Sequence, residues 1–136
     1  MELTQIQKDW LKALRSGEYN QGRNRLKTAY DDPLKPTCYC CLGVANELLT
    51  NKSTSDTRLS QPSFEELGLS SSTGDFSTKN LHFRKDQHEI DIEDILSYHH
   101  YTLASLNDEL KWTFPQIADF IEDNVEHIFT NEQASK

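Results

Sequence analysis

Apolar residues recur at helical spacing in three stretches of the chain. Ile6, Trp10, Leu11 and Leu14 fall on one face of a first helix. Thr4 and Gln7 form a capping box ahead of it, and Ser16-Gly17 supplies the stop. Cys41, Val44, Ala45, Leu48 and Leu49 make a second stripe inside the most apolar run, predicting a buried helix from about Cys40 to Thr50. Gly43 costs about 1 kcal/mol relative to alanine inside a helix. Such a glycine points to another element packed closely against it. Ile117, Phe120, Ile121, Val125 and Ile128 line the third helix, with Asp119, Glu122, Asp123 and Glu126 on its other side. Thr113 and Gln116 form a second capping box, and Pro115 sits in the first turn, where its missing N–H costs nothing.

The intervening segments are less regular. Tyr19 to Lys27 is poor in apolar residues and fits a short strand or a turn of helix. Tyr30 to Thr37 contains Pro33 and Pro36 and reads as a loop. Residues 50–78 hold 13 Ser or Thr among 29 and read as a polar connection with an apolar knot at Phe64, Leu67 and Leu69. Leu81 to Arg84 and His88 to Ile92 pattern as two strands of a hairpin turning at Asp86-Gln87. A helix through Ile92, Ile95 and Leu96 competes with the second strand, and Leu103, Leu106 and Leu110 suggest a further helix. The expectation is an α+β fold, a mainly α-helical single domain over residues 1–136 with a short β-hairpin. Its predicted core is Trp10, Leu14, Cys41, Val44, Leu48, Ile117, Phe120 and Ile121.

Charge changes the picture. The chain has 136 residues, 14 Lys+Arg and 22 Asp+Glu, a net of −8. Residues 1–37 carry a net of +2, residues 38–85 zero and residues 86–136 a net of −10. An acidic chain lacks the basic face that direct nucleic-acid binding requires. No apolar run approaches the length of a membrane span, and the N-terminus lacks the pattern of a secretory signal. With cysteine confined to Cys38, Cys40 and Cys41, the chain is expected in a reducing cytoplasm. In that setting the sequon at Asn51 carries no meaning.

Four constellations bear chemistry. Cys40 or Cys41 at a helix start, with one of five histidines, would suit a Cys-His hydrolase. Their apolar setting instead favours core packing. Cys38, Cys40 and Cys41 with His99 and His100 offer soft metal ligands but lack paired zinc-knuckle spacing, so no metal or other cofactor is expected. Tyr19, Gln21, Arg23, Arg25 and Tyr39 combine arginine forks with aromatic rings, a set suited to sequestering a nucleotide-like ligand. The competing view pairs these arginines with the acidic C-terminal helix. Asn107 and Asp108 suit closing a turn through side-chain bonds to backbone.

Three stretches occur together in one order: Trp10-Leu11-x-Ala13-Leu14-Arg15-Ser16-Gly17-x-Tyr19-x-Gln21-Gly22, then Tyr39-Cys40-Cys41-Leu42-Gly43-Val44, then Leu106-Asn107-Asp108 followed by Phe114-x-x-Ile117-Ala118-Asp119-Phe120-Ile121-Glu122. As a set they resemble a family of small proteins of unknown activity encoded in tailed-phage genomes. The resemblance covers both ends of the chain and not the Ser/Thr-rich middle. It implies a phage accessory protein working in the bacterial host cytoplasm, and it brings no catalytic residues. The expected function is therefore to bind and inhibit a host protein with a basic surface, a factor of antiviral defence among the options. Asp119, Glu122, Asp123 and Glu126 would make the contact. A homo-oligomer and the small-ligand reading stay open.

Overall fold

The computed structural model describes residues 2–49, 58–84 and 89–130. Helix α1 runs Gln5–Ser16, opened by the Thr4 capping box and closed by Gly17 in the left-handed conformation at φ 79°. Its buried face presents Gln7, Trp10, Leu11 and Leu14. Two of these are tied by polar atoms as well. The Trp10 indole N–H donates to the Cys41 carbonyl at 2.9 Å, and the Gln7 amide donates to the Leu67 carbonyl at 2.8 Å. Buried donors thus find acceptors on distant segments, which fixes α1 in rotation as well as in position.

Three short strands follow: β1 Asn20–Gln21, β2 Lys27–Thr28 and β3 Cys38–Tyr39. Their order is β1-β3-β2, with β1 parallel and β2 antiparallel to β3. Helix α2, Cys41–Leu49, leaves the end of β3 and is buried along Cys41 to Asn46. The Leu26 backbone lies directly on Gly43, where a Cβ would overlap the Leu26 carbonyl oxygen. This is the close approach that a glycine inside the helix predicts.

Helix α3, Gln61–Leu67, is capped by Ser60 and ended by Gly68 in the left-handed conformation. It is the apolar knot of the polar connection. Strand β4 (Asp75–Ser77) pairs antiparallel with β5 (His100–Thr102). Between them lies helix α4, Glu89–Leu96. The hairpin expected over 81–92 is therefore a correction. Leu81–Arg84 has no strand partner among the described residues, and Ile92 and Ile95 sit in a helix. The helix Glu89–Leu96, about two turns long, buries Ile95 completely, and period-two alternation over five residues is too short to compete with that. The proposed turn at Asp86-Gln87, His88 and the sequon at Asn51 lie outside the described residues.

Helices α5 (Leu103–Asp108), α6 (Phe114–Asp123) and α7 (Val125–Ile128) complete the chain. The second capping box forms as expected, Thr113 accepting from the Gln116 N–H and Gln116 reaching back. Helices α1, α2, α5 and α6 enclose one apolar cluster containing Trp10, Leu14, Cys41, Val44, Phe120 and Ile121. Leu48, expected in the core, lies at its edge. Each large side chain fully buried there stabilises by about 1.5–3 kcal/mol before conformational entropy is counted. Small α+β architecture with mainly helical content is the observed class.

Candidate functional site

The acidic side of α6 is not bare. The Arg15 guanidinium, from the last turn of α1, reaches Asp119 at 2.7 Å and Glu122 at 2.6 Å. Arg84 approaches from the other flank and contacts Asp119 at 3.3 Å, Glu122 at 3.5 Å and Asp123 at 2.7 Å. Its fork engages Asp123 through both Nε and Nη2. That hydrogen bond, outweighing partial burial, holds the Asp123 carboxyl below its ordinary range. Sequence reasoning named Arg23 and Arg25 as the counter-charges. Arg15 and Arg84 take that role, and only α1–α6 packing and the path of residues 79–84 reveal them.

The path of that segment is held by side-chain bonds to α6 and α7. The Asn124 amide accepts from the His82 N–H at 2.7 Å and donates to the His82 carbonyl at 2.9 Å. His127 Nε2 lies 2.8 Å from the Lys79 carbonyl. A carbonyl only accepts, so this nitrogen carries the proton. Phe83 packs on the Phe120 ring with centroids 5.7 Å apart. Beside this strap opens a recess of about 360 Å³, bordered by Glu122, Asp123, Glu126, His82 and His127. Three of the four carboxylates named from sequence line it. Among the described residues Glu126 makes no ion pair, and the Glu122 side chain is 50% exposed.

A second depression, about 540 Å³, runs along α1 on the far side of the Arg15–Glu122 pair. Leu3 and Leu11 line it together with Lys8, Lys12 and Arg15. Glu122 borders both depressions.

The nucleotide-like set is distributed differently. Tyr19 and Tyr39 do meet, edge to face at 5.2 Å between centroids. Lys27 lies over the Tyr39 ring and 3.6 Å from Glu47. Burial first, and then the Glu47 charge, raises the Tyr19 pKa. Gln21 turns inward. Its amide nitrogen donates to Asn107 Oδ1 at 2.8 Å and to the Trp112 carbonyl at 2.7 Å. Arg23 is half-buried and Arg25 exposed. Lys27 and Glu47 thus complete a tyrosine cluster whose charges answer one another. Glu47 had no pattern in the sequence to mark it.

The three motif stretches converge on Asn107. Besides Gln21, its Oδ1 accepts from the Cys41 N–H at 3.2 Å. Its Nδ2 donates to the Gly22 carbonyl at 2.9 Å and to Asp108 at 2.8 Å, and Asp108 accepts from the Asn24 N–H. Asn24 adopts φ 71°, a left-handed conformation asparagine tolerates. Asn107 and Asp108 therefore do bond backbone, but across the chain rather than within one turn.

Cys40 and Cys41 are core residues, 3% and 0% exposed. Burial pushes the Cys40 thiol up to about 11 and the Cys41 thiol well above its ordinary value. Cys41 Sγ faces the Leu103 carbonyl at 3.6 Å. A nucleophile needs the opposite environment. His100 lies 3.9 Å from Asp75, on β5. Among the described residues no group of three His, Cys, Asp or Glu side chains is arranged to hold a metal ion. Nor is any helix among them long and apolar enough to cross a membrane.

No curated protein and no solved structure matches the chain. A family described as a domain of unknown function (DUF8296) matches residues 2–125, and the chain belongs to that family.

Proposed function

We propose that this chain is a phage-type accessory protein that binds and inhibits a host protein in the bacterial cytoplasm, taking a basic side chain of that protein into the α7 recess. The observation that supports this most is the recess itself, a concavity of about 360 Å³ bordered by Glu122, Asp123 and Glu126. Arg15 and Arg84 already answer Asp119, Glu122 and Asp123, so among the described residues Glu126 is the lining carboxylate without an ion pair, and the half-exposed Glu122 stands beside it. An exposed ion pair is worth only about 0.2–1 kcal/mol. The recess therefore selects and steers a partner, while neighbouring surface supplies most of the affinity.

The test compares wild-type chain with the Glu122→Gln/Glu126→Lys variant as baits in a bacterial lysate. Enriched proteins are identified by mass spectrometry and binding is repeated with the purified partner. The expected result is loss of one specific partner with an unchanged circular dichroism melt. Equal binding of that purified partner by both baits overturns the reading.

A further inference from the structure

The groove along α1 presents the opposite chemistry to the recess. Lys8 and Lys12 stand one helical turn apart on an exposed face. Among the described residues neither makes an ion pair, although the chain carries a net charge of −8. Arg15 is different, because Asp119 and Glu122 already neutralise it. Like charges at this spacing disfavour the helix that carries them. Leu3 and Leu11 line the same groove and make part of its wall apolar. The lysine stems extend that apolar surface.

We infer that this groove takes an acidic, leucine-bearing amphipathic helix of the partner protein. This rests on the partner-binding reading of the recess. Carboxylates at positions i and i+4 of a helix have the spacing of Lys8 and Lys12, and leucines on the same face meet the apolar lining of Leu3 and Leu11. Because Glu122 borders both depressions, a single partner element can lay its acidic end over α1 and its basic end over α7. The recognised segment is then bipolar in charge.

Two synthetic helix-forming peptides of equal length test this against the isotope-labelled full chain by NMR titration. One is built of Leu and Glu, the other of Leu and Lys. The Leu/Glu peptide is expected to shift the amides of Lys8 to Arg15. The Lys8→Glu/Lys12→Glu variant should weaken it at least tenfold, the Lys8→Gln/Lys12→Gln variant several-fold, and Glu126→Lys should leave it unchanged. The inference is overturned if those amides do not move, or if both lysine variants, shown folded by circular dichroism, bind as wild type. Shifts that follow dilution of the protein without peptide also overturn it, because the groove's occupant is then a second copy. The Leu/Lys peptide should shift the amides of Glu122 to His127. Its failure there counts against the recess and leaves the groove standing.

Discussion

Gln21 donates its side-chain amide to Asn107 Oδ1 at 2.8 Å, although the two residues are 86 positions apart. Asn107 is completely buried, and its oxygen and nitrogen each make two bonds. Asn107→Ala removes all four and leaves the Cys41 N–H and the Gly22 carbonyl without their partner. Each buried orphan costs about 1–3 kcal/mol. The variant should lose about 3 kcal/mol or more in urea denaturation. A loss under about 1 kcal/mol would show that water replaces the amide, and that the three motif stretches are held by packing alone.

Gly43 answers to a different constraint. The Leu26 backbone occupies the place of its Cβ, and backbone yields less readily than a side chain. Gly43→Ala gains about 1 kcal/mol of helix propensity and loses more to displacement of the Leu26 segment. The net expectation is a fall in melting temperature of several degrees, measured by calorimetry. An unchanged or higher melting temperature would mean that β2 and its approach shift freely.

Acid titration should reveal the Arg84 contact. Arg84 lowers the Asp123 pKa in the folded chain, so the ion pair stabilises above the ordinary carboxylate pKa and is lost as pH falls through the folded value. Arg84→Gln should raise the Asp123 pKa, followed by carboxyl NMR, and lower the melting temperature at pH 7. The two melting curves should converge in acid. A difference that persists below the folded Asp123 pKa would assign the effect of Arg84 to packing of the strap instead.

The cysteines differ in accessibility. With its thiol pushed up to about 11, Cys40 is ionised on the order of one part in a thousand at pH 8. Iodoacetamide at pH 8 should modify the half-buried Cys38 and spare Cys40 and Cys41 until denaturant is added. Rapid alkylation of Cys40 in the folded chain would restore the hydrolase reading.

Elements with local chemistry were legible in the sequence. Both capping boxes, the stop at Gly17 and the stripes of α1, α2 and α6 depend on residues three or four apart. The close packing at Gly43 was also foreseeable, but not that Leu26 provides it. What escaped depends on distant pairing. The two-residue strands β1, β2 and β3 carry too little pattern to register, and Leu81 to Arg84 looked like a strand because Leu and Phe alternate. They alternate because one side packs on Phe120 while Arg84 turns to Asp123. The acidic residues of α6 were legible as a face. Their counter-ions were not, since Arg15 lies 104 positions from Asp119 and Arg84 lies 39 from Asp123.

The position of Asn107 also bears on how the chain is made. Its partners Gln21, Gly22 and Cys41 leave the ribosome long before it does. Until it arrives, the segment between α1 and α2 carries backbone donors and acceptors that only water or a chaperone can satisfy. Closure of so large a loop is paid for before its contacts are gained, which slows folding relative to a helical bundle of local contacts. The nascent N-terminal third is thus a waiting state, and its exposed Trp10 and Leu14 surface is what a holding chaperone would recognise first.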